Sequence, residues 1–237
     1  MLYFDSHVHV YPEFGLDALL SAFLANSARR APKGAAPAFA VPLRSFQQSL
    51  GDALMSAGRR NVEISRPDRD GAPWRLSDAS GAEVFVYPAR QVATRERIEL
   101  LAFFGEETVP DGLPIKETAR RLADAGFAPA LAWGRGKWLF GRARIVRDFL
   151  LDPEMRGIVP FVCDSALRPW FWPEPLFGVA KARGYRMLTG SDPLPGAGNE
   201  RRAGCRGTVV DAEPGVCARE LLAALAEPPA PRPARGQ

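Results

Sequence analysis

Histidine is nearly absent from this chain of 237 residues: it has two, His7 and His9, one residue apart in the opening stretch MLYFDSHVHVYPEF. Cysteine is scarce too. Cys163, Cys205 and Cys217 are an odd set without a CxxC pair, which argues against a disulfide framework and fits a reducing, cytoplasmic setting. No apolar run approaches the ~18 residues of a membrane span, and no secretory signal pattern precedes Asp5, so no membrane partner is expected. Lysine is confined to Lys33, Lys116, Lys137 and Lys181, leaving the net charge of +4 to arginine. Beside abundant Ala, Gly and Pro, that usage resembles a GC-rich, bacterial-like coding bias. There is no basic run of the length that makes a nucleic-acid arm, so the composition argues against nucleic acid and leaves a small anionic substrate. Nothing in the sequence sets an oligomeric state.

The hydrophobic fraction of 46% is ordinary for a globular chain, so one core-forming domain is expected over 1–227. The Pro/Arg-rich tail PPAPRPARGQ (228–237) is expected to be disordered. LYFDSHVHV (2–10) alternates as a strand does, Pro12 and Gly15 break it, and LDALLSAFLANSARR has helical periodicity. AFAVPLR (38–44) is a short strand. Between 61 and 90, the alternating pieces NVEIS, PWRLS and AEVFVYPA, separated by turn signals, predict a small antiparallel excursion, with a strand at IELLAFF after it. From there helical patterns alternate with the strands FAPALAWG, GIVPFVCD and YRMLTGSD. The order predicts an α/β fold with a mainly parallel sheet of about seven strands, closed as a distorted (βα) barrel; an open doubly wound sheet is the competitor.

Two end motifs carry the chemistry. Residues i and i+2 of a strand share a face, so His7 and His9 can offer two imidazoles to one ion. Asp5, two residues earlier, is placed to orient an imidazole. Near the other end, LTGSDPLP (188–195) brings Asp192 to the carboxyl end of a strand, where a carboxylate can bind a metal or accept a proton. The plain alternatives are a pair of polar histidines and a turn-forming aspartate.

Together, DSHVH and GSDPLP resemble the PHP family (polymerase and histidinol phosphatase), metal-dependent phosphoesterases on a distorted α/β barrel. Those proteins open on D-x-H-x-H and close on G-S-D-x-H. The pair is also similar, more distantly, to the amidohydrolase superfamily, which shares the opening HxH and the late aspartate. The resemblance runs loosely from residue 2 to about 210 and is specific only at its ends. In the middle the chain departs from the pattern. Gln91 falls where the family has a metal-bridging glutamate, Glu99 and Trp133 fall where it has histidines, and Pro193–Leu194 replaces the closing histidine. AFAVPLRSF lacks the family's second-strand Asp-His pair, and FVCDS offers Cys163 and Asp164.

The resemblance implies one or two divalent ions (zinc, manganese or iron) held by His7, His9 and Asp192, with Glu99, Asp164 and Gln91 as further ligands. Asp192 or Glu99 would be the catalytic proton acceptor. Arg135 and Lys137 in WGRGKW, and Asn199 and Arg201 in PGAGNERRAG, are candidates to bind the substrate anion. RPWFWPEP (168–175) offers either a pocket wall or lid or, as is commoner for aromatics beside proline, packing against neighbouring helices. Cys163 reads as a small buried residue, and GxSxG is missing. The expected activity is metal-dependent hydrolysis, foremost of a phosphoester. An amidohydrolase-like lactonase, amidase or decarboxylase, and a non-catalytic binding protein on a decayed barrel, are the alternatives.

Overall fold

Chain breakers and apolar spacing set the first elements. β1 (Leu2–Asp5) leaves its ladder sooner than the alternation predicts, and Gly15 precedes α1 (Leu16–Arg30), whose Leu16, Leu19, Leu20 and Phe23 form one buried stripe. The computed structural model describes residues 1–45, 47, 49–58 and 60–227; the tail 228–237, expected to be disordered, lies outside the described residues. β2 (Ala36–Leu43) and α2 (Leu50–Ser56) follow, α2 capped by the Ser49 hydroxyl accepting from the Asp52 N–H at 3.1 Å.

The antiparallel excursion is the hairpin β3 (Val62–Ser65)–β4 (Trp74–Asp78), laid on the first half of the long β5 (Glu83–Ala93). β5 runs parallel to β2 along one edge; on the other it exchanges β4 for β6 (Glu99–Phe103) near Pro88, which has no N–H to give a ladder. The remaining elements are α3 (Ile115–Asp124), β7 (Ala128–Ala132), α4 (Gly141–Leu151), α5 (Pro153–Ile158), β8 (Phe161–Ser165), α6 (Pro175–Ala182), β9 (Arg186–Gly190), β10 (Thr208–Val210) and α7 (Ala218–Ala226). The sheet order is β10-β1-β2-β5-β6-β7-β8-β9, with β6 antiparallel to both neighbours and β10 antiparallel to β1.

The ends of this sheet meet. The Ser6 N–H donates to the Thr189 carbonyl at 3.1 Å, and the Asp192 N–H to the His7 carbonyl at 2.8 Å, drawing the exit of β1 against β9. The result is the predicted distorted barrel, nearly closed. Gly190 permits the closure, since a Cβ there would lie 2.5 Å from the His7 Cβ and 2.8 Å from its backbone nitrogen.

Inside, Phe4, Tyr87, Phe103 and Phe161 form an aromatic plug, with ring centroids of the three contacting pairs 6.3 Å apart. Ala38, Ala40, Ala89, Ala130 and Ala132 leave room for those rings. Outside, one apolar layer packs under α1 and α2 and a second under α3 to α6. Trp133 belongs to this second layer, with its indole N–H donating to Glu174 at 3.1 Å.

Candidate metal centre

The carboxyl ends of the parallel strands open above the plug, and there the two end motifs converge. His7 and His9 lie just past β1 and Asp192 just past β9; all three are buried. Their ligand atoms lie within 4.8 Å of one another. His7 Nε2 is 3.0 Å from His9 Nε2, and Asp192 Oδ1 is 3.4 Å and 3.9 Å from those two nitrogens. Ligands bonded at ~2.0–2.1 Å around a tetrahedral ion lie about 3.3 Å apart along each edge. The donor set therefore fits a divalent ion in spacing and in type. Asp192 also adopts a left-handed backbone (φ 48°), which aspartate tolerates better than most non-glycine residues.

Electrostatics agree with the fit. Burial, followed by repulsion from His7, lowers the His9 pKa from 6.5 to about 3, so its ring is neutral and able to ligate. Nε2 of His9 is the nitrogen turned to His7 and Asp192, so it is the atom placed to ligate. For Asp192, burial would raise the pKa, but His7, His9, the Ser165 hydroxyl and Lys137 outweigh it and hold the carboxyl below its usual range. The Ser165 hydroxyl donates to Asp192 Oδ2 at 3.1 Å.

Asp5 differs from its expected role. It does not touch an imidazole; it accepts backbone N–H bonds from His7 (3.1 Å), Ser191 (2.9 Å) and Gly204 (3.1 Å), pinning both sides of the seam. Its complete burial, partly offset by these bonds, raises its pKa from 3.8 to about 7.

The other predicted residues are placed as follows. Gln91 is in phase with the inward-facing Tyr87 and Ala89, and its Oε1 is buried without a hydrogen-bond partner. Because β6 runs antiparallel, Glu99 also sits at the open end, paired with Lys137 Nζ. Asp164 is taken up by Arg168, which donates from Nε at 2.8 Å and from Nη2, and by Arg206 at 3.1 Å; it stands outside the ligand group. Arg135 is exposed on the loop after β7. Asn199 donates to the Pro195 carbonyl within its own turn, and the Arg201 backbone carbonyl accepts from Asn26 of α1, so this loop packs toward the helix. Cys163 is buried inside the barrel, with its thiol pushed up to about 12 by burial. Sequence reasoning missed Arg168, Arg206 and Ser165 as supports of this end of the barrel; nothing in their local patterns marks them.

Among solved structures, the lesion-specific endonuclease PfuEndoQ from Pyrococcus furiosus aligns with 95% of this chain and 56% of its own, at 14% identity and a TM-score of 0.56. The fold is PHP-like. At that identity the likeness concerns the fold alone. PsfC from Pseudomonas syringae PB-5123 aligns with 81% of this chain and 76% of its own, at 14% identity and a TM-score of 0.49. An endonuclease Q complex with a 27-mer duplex bearing an abasic lesion aligns with 81% and 49%, at 13% identity and 0.45. The PHP-like chain thus spans about half the length of the endonuclease Q structures. No protein-family model matches it, and no curated protein matches it in sequence.

Proposed function

We propose that this PHP-like barrel is a metal-dependent phosphoesterase whose ion is held by His7, His9 and Asp192. The observation that carries the reading is the spacing of those three ligand atoms at the open end of the barrel. A divalent ion there supplies Lewis acidity and lowers the pKa of bound water toward ~7. The chain's own residues do the rest. Lys137, beside Glu99 and within electrostatic reach of Asp192, binds the phosphate, and the anion's competition for Lys137 releases the Glu99 carboxylate to accept a proton. Gln91, with a free buried oxygen, is the further neutral ligand if a second ion binds. Asp164, held by two guanidiniums, serves as support for the rim.

The lack of a basic run in the sequence does not exclude nucleic acid once the chain is folded. Arg44, Lys137, Arg168 and Arg206 come from separate segments to the same end of the barrel, and the similar PfuEndoQ is an endonuclease. The anionic substrate is therefore not restricted to small molecules. Among the described residues no helix is long and apolar enough to cross a membrane. Three free thiols suit the cytoplasm as the place of action.

The test is metal content of protein purified without a His tag, beside the His7→Ala/His9→Ala variant, followed by phosphomonoester, phosphodiester and lactone panels with Mn²⁺, Zn²⁺ or Fe²⁺. About one ion per chain, lost in the variant together with phosphoester turnover, is the expected result. Absence of a bound ion under all three metals sinks the reading, and turnover of lactones alone would replace the phosphoester with a carboxylic ester.

A further inference from the structure

The open end of the barrel displays aromatic surface that the metal centre does not use. Phe140, Trp170, Phe171, Trp172 and Leu194, all exposed, lie on the loops that follow β7, β8 and β9. These strands are parallel neighbours, so the three loops emerge at the end that holds His7, His9 and Asp192. Phe140 is 90% exposed; Trp170 is 88% and Phe171 67% exposed, where packing against helices was the commoner expectation for their segment.

Three further features indicate display. Phe140 has φ 56° and ψ −133°, a backbone region that favours glycine, yet it carries a ring that buries almost nothing. Trp170 and Phe171 meet edge to face, 5.8 Å between centroids at 88°, which leaves ring faces open. The loop is also braced. Arg168 donates to the Trp172 carbonyl at 2.7 Å while its other nitrogens hold Asp164, and the next residue, Ser165, holds Asp192. The aromatic loop and a metal-ligand carboxylate thus hang from adjacent residues of β8.

We propose that Trp170 and Phe171, with Phe140 on the neighbouring loop, form a stacking subsite for a nucleobase. The phosphoester taken by this site is then base-bearing, either a mononucleotide or an end of single-stranded nucleic acid. This rests on the phosphoesterase reading for the reaction but not for the binding. Aromatic faces stack on any base, and Arg135, exposed on the neighbouring loop, and Lys137 beside it supply the cations a phosphate needs. A sugar phosphate would gain only C–H packing against the rings, less than a stacked base. A lipid surface is a poorer fit, because Asp164 and Glu174 flank this loop and its own arginine, Arg168, is spent on Asp164.

The experiment is tryptophan fluorescence of the full chain, stripped of metal with EDTA, titrated with AMP, a single-stranded oligonucleotide and ribose 5-phosphate. AMP or the oligonucleotide is expected to quench and ribose 5-phosphate to leave the signal unchanged. Trp170→Ala/Phe171→Ala, at exposed positions that spare the core, weakens binding about tenfold or more, the size of a lost base stack. Equal affinities for AMP and oligonucleotide assign the mononucleotide; tighter, salt-sensitive oligonucleotide binding assigns the strand. No quench by either, or an unchanged affinity in the double variant, overturns the proposal. So does sedimentation with phosphatidylglycerol vesicles that the double variant abolishes, if AMP and the oligonucleotide give no response. A base-dependent quench without phosphoester turnover keeps the subsite and removes the proposed reaction, so the two can fail separately.

Discussion

Replacing Gly190 by alanine should open the barrel where β1 and β9 meet. The new Cβ would sit 2.5 Å from His7 Cβ, 2.8 Å from its nitrogen and 3.1 Å from its Cα, against the ~3.5–4.0 Å at which carbon atoms rest. Two of those three neighbours are backbone, so no side-chain rotation relieves the overlap, and the strands must part by about 1 Å. That stretches the Asp192–His7 and Ser6–Thr189 bonds of 2.8 Å and 3.1 Å. Overpacking of this kind costs about 1–3 kcal/mol, and two weakened hydrogen bonds about 1 kcal/mol more. At roughly 2–4 °C per kcal/mol for a chain of this size, Tm should fall by about 4–16 °C, and bound metal should fall with it because His7 moves from Asp192. Gly178 in α6 is the control: its Cβ position is open, and alanine there should stabilise by about 0.5–1 kcal/mol. Thermal unfolding by circular dichroism, with metal content on the same samples, decides the matter. A Gly190→Ala protein melting within a degree of wild type would refute the account of the seam.

Two buried groups make opposite pH predictions. The folded chain keeps a proton on Asp5 up to about pH 7, whereas the unfolded chain releases it near 3.8, so this group makes stability fall as pH rises across that window. His9 stays neutral in the fold down to about 3, while the unfolded chain protonates near 6.5, so this group makes stability fall as pH drops. The slopes oppose, and urea midpoints of the metal-free protein should vary little between about pH 4 and 6.5. Asp5→Asn removes one of them and should lose a few kcal/mol on acidification over that range; a flat midpoint in the variant rejects the assignment. Phe140→Gly should relieve the left-handed backbone and raise Tm by roughly 2–4 °C, about 1 kcal/mol, while weakening nucleotide binding. A lower Tm would show that the ring supports the fold.

Much of the architecture was legible because it rests on short-range signals. α1 matches its apolar spacing residue for residue, and the excursion near 61–90 was announced by turn residues between alternating pieces. Strand direction was not legible, since alternation reads the same both ways; hence the antiparallel β6, which carries Glu99 to the open end, emerges only from the pairing. β10 has three residues, too few for a period. In the site, HVH and the late Asp192 converge as their placement at strand ends implied. Asp5 shows the limit of such reasoning: β1 ends at that residue, the i, i+2 alternation lapses, and its carboxylate meets backbone amides instead of a ring. Of the arginines on Asp164, Arg206 was hidden by its distance of 42 positions, and Arg168, four positions on, lies beyond the strand where no periodic pattern aims it back.

Barrel closure has a consequence for the order of events in folding. The bond from Ser191 to Asp5 spans 186 positions of chain, and the backbone bond from Asp192 to His7 closes a loop of nearly the same length. Contacts of that separation carry a large loop-closure entropy and form late. The ligand triad is thus assembled only when β9 docks on β1, and an ion that binds the assembled triad acts on the last step. Through mass action it would slow the reopening of the seam while leaving the earlier, locally paired strands untouched. Occupancy of the centre would then report that the ring of strands has closed.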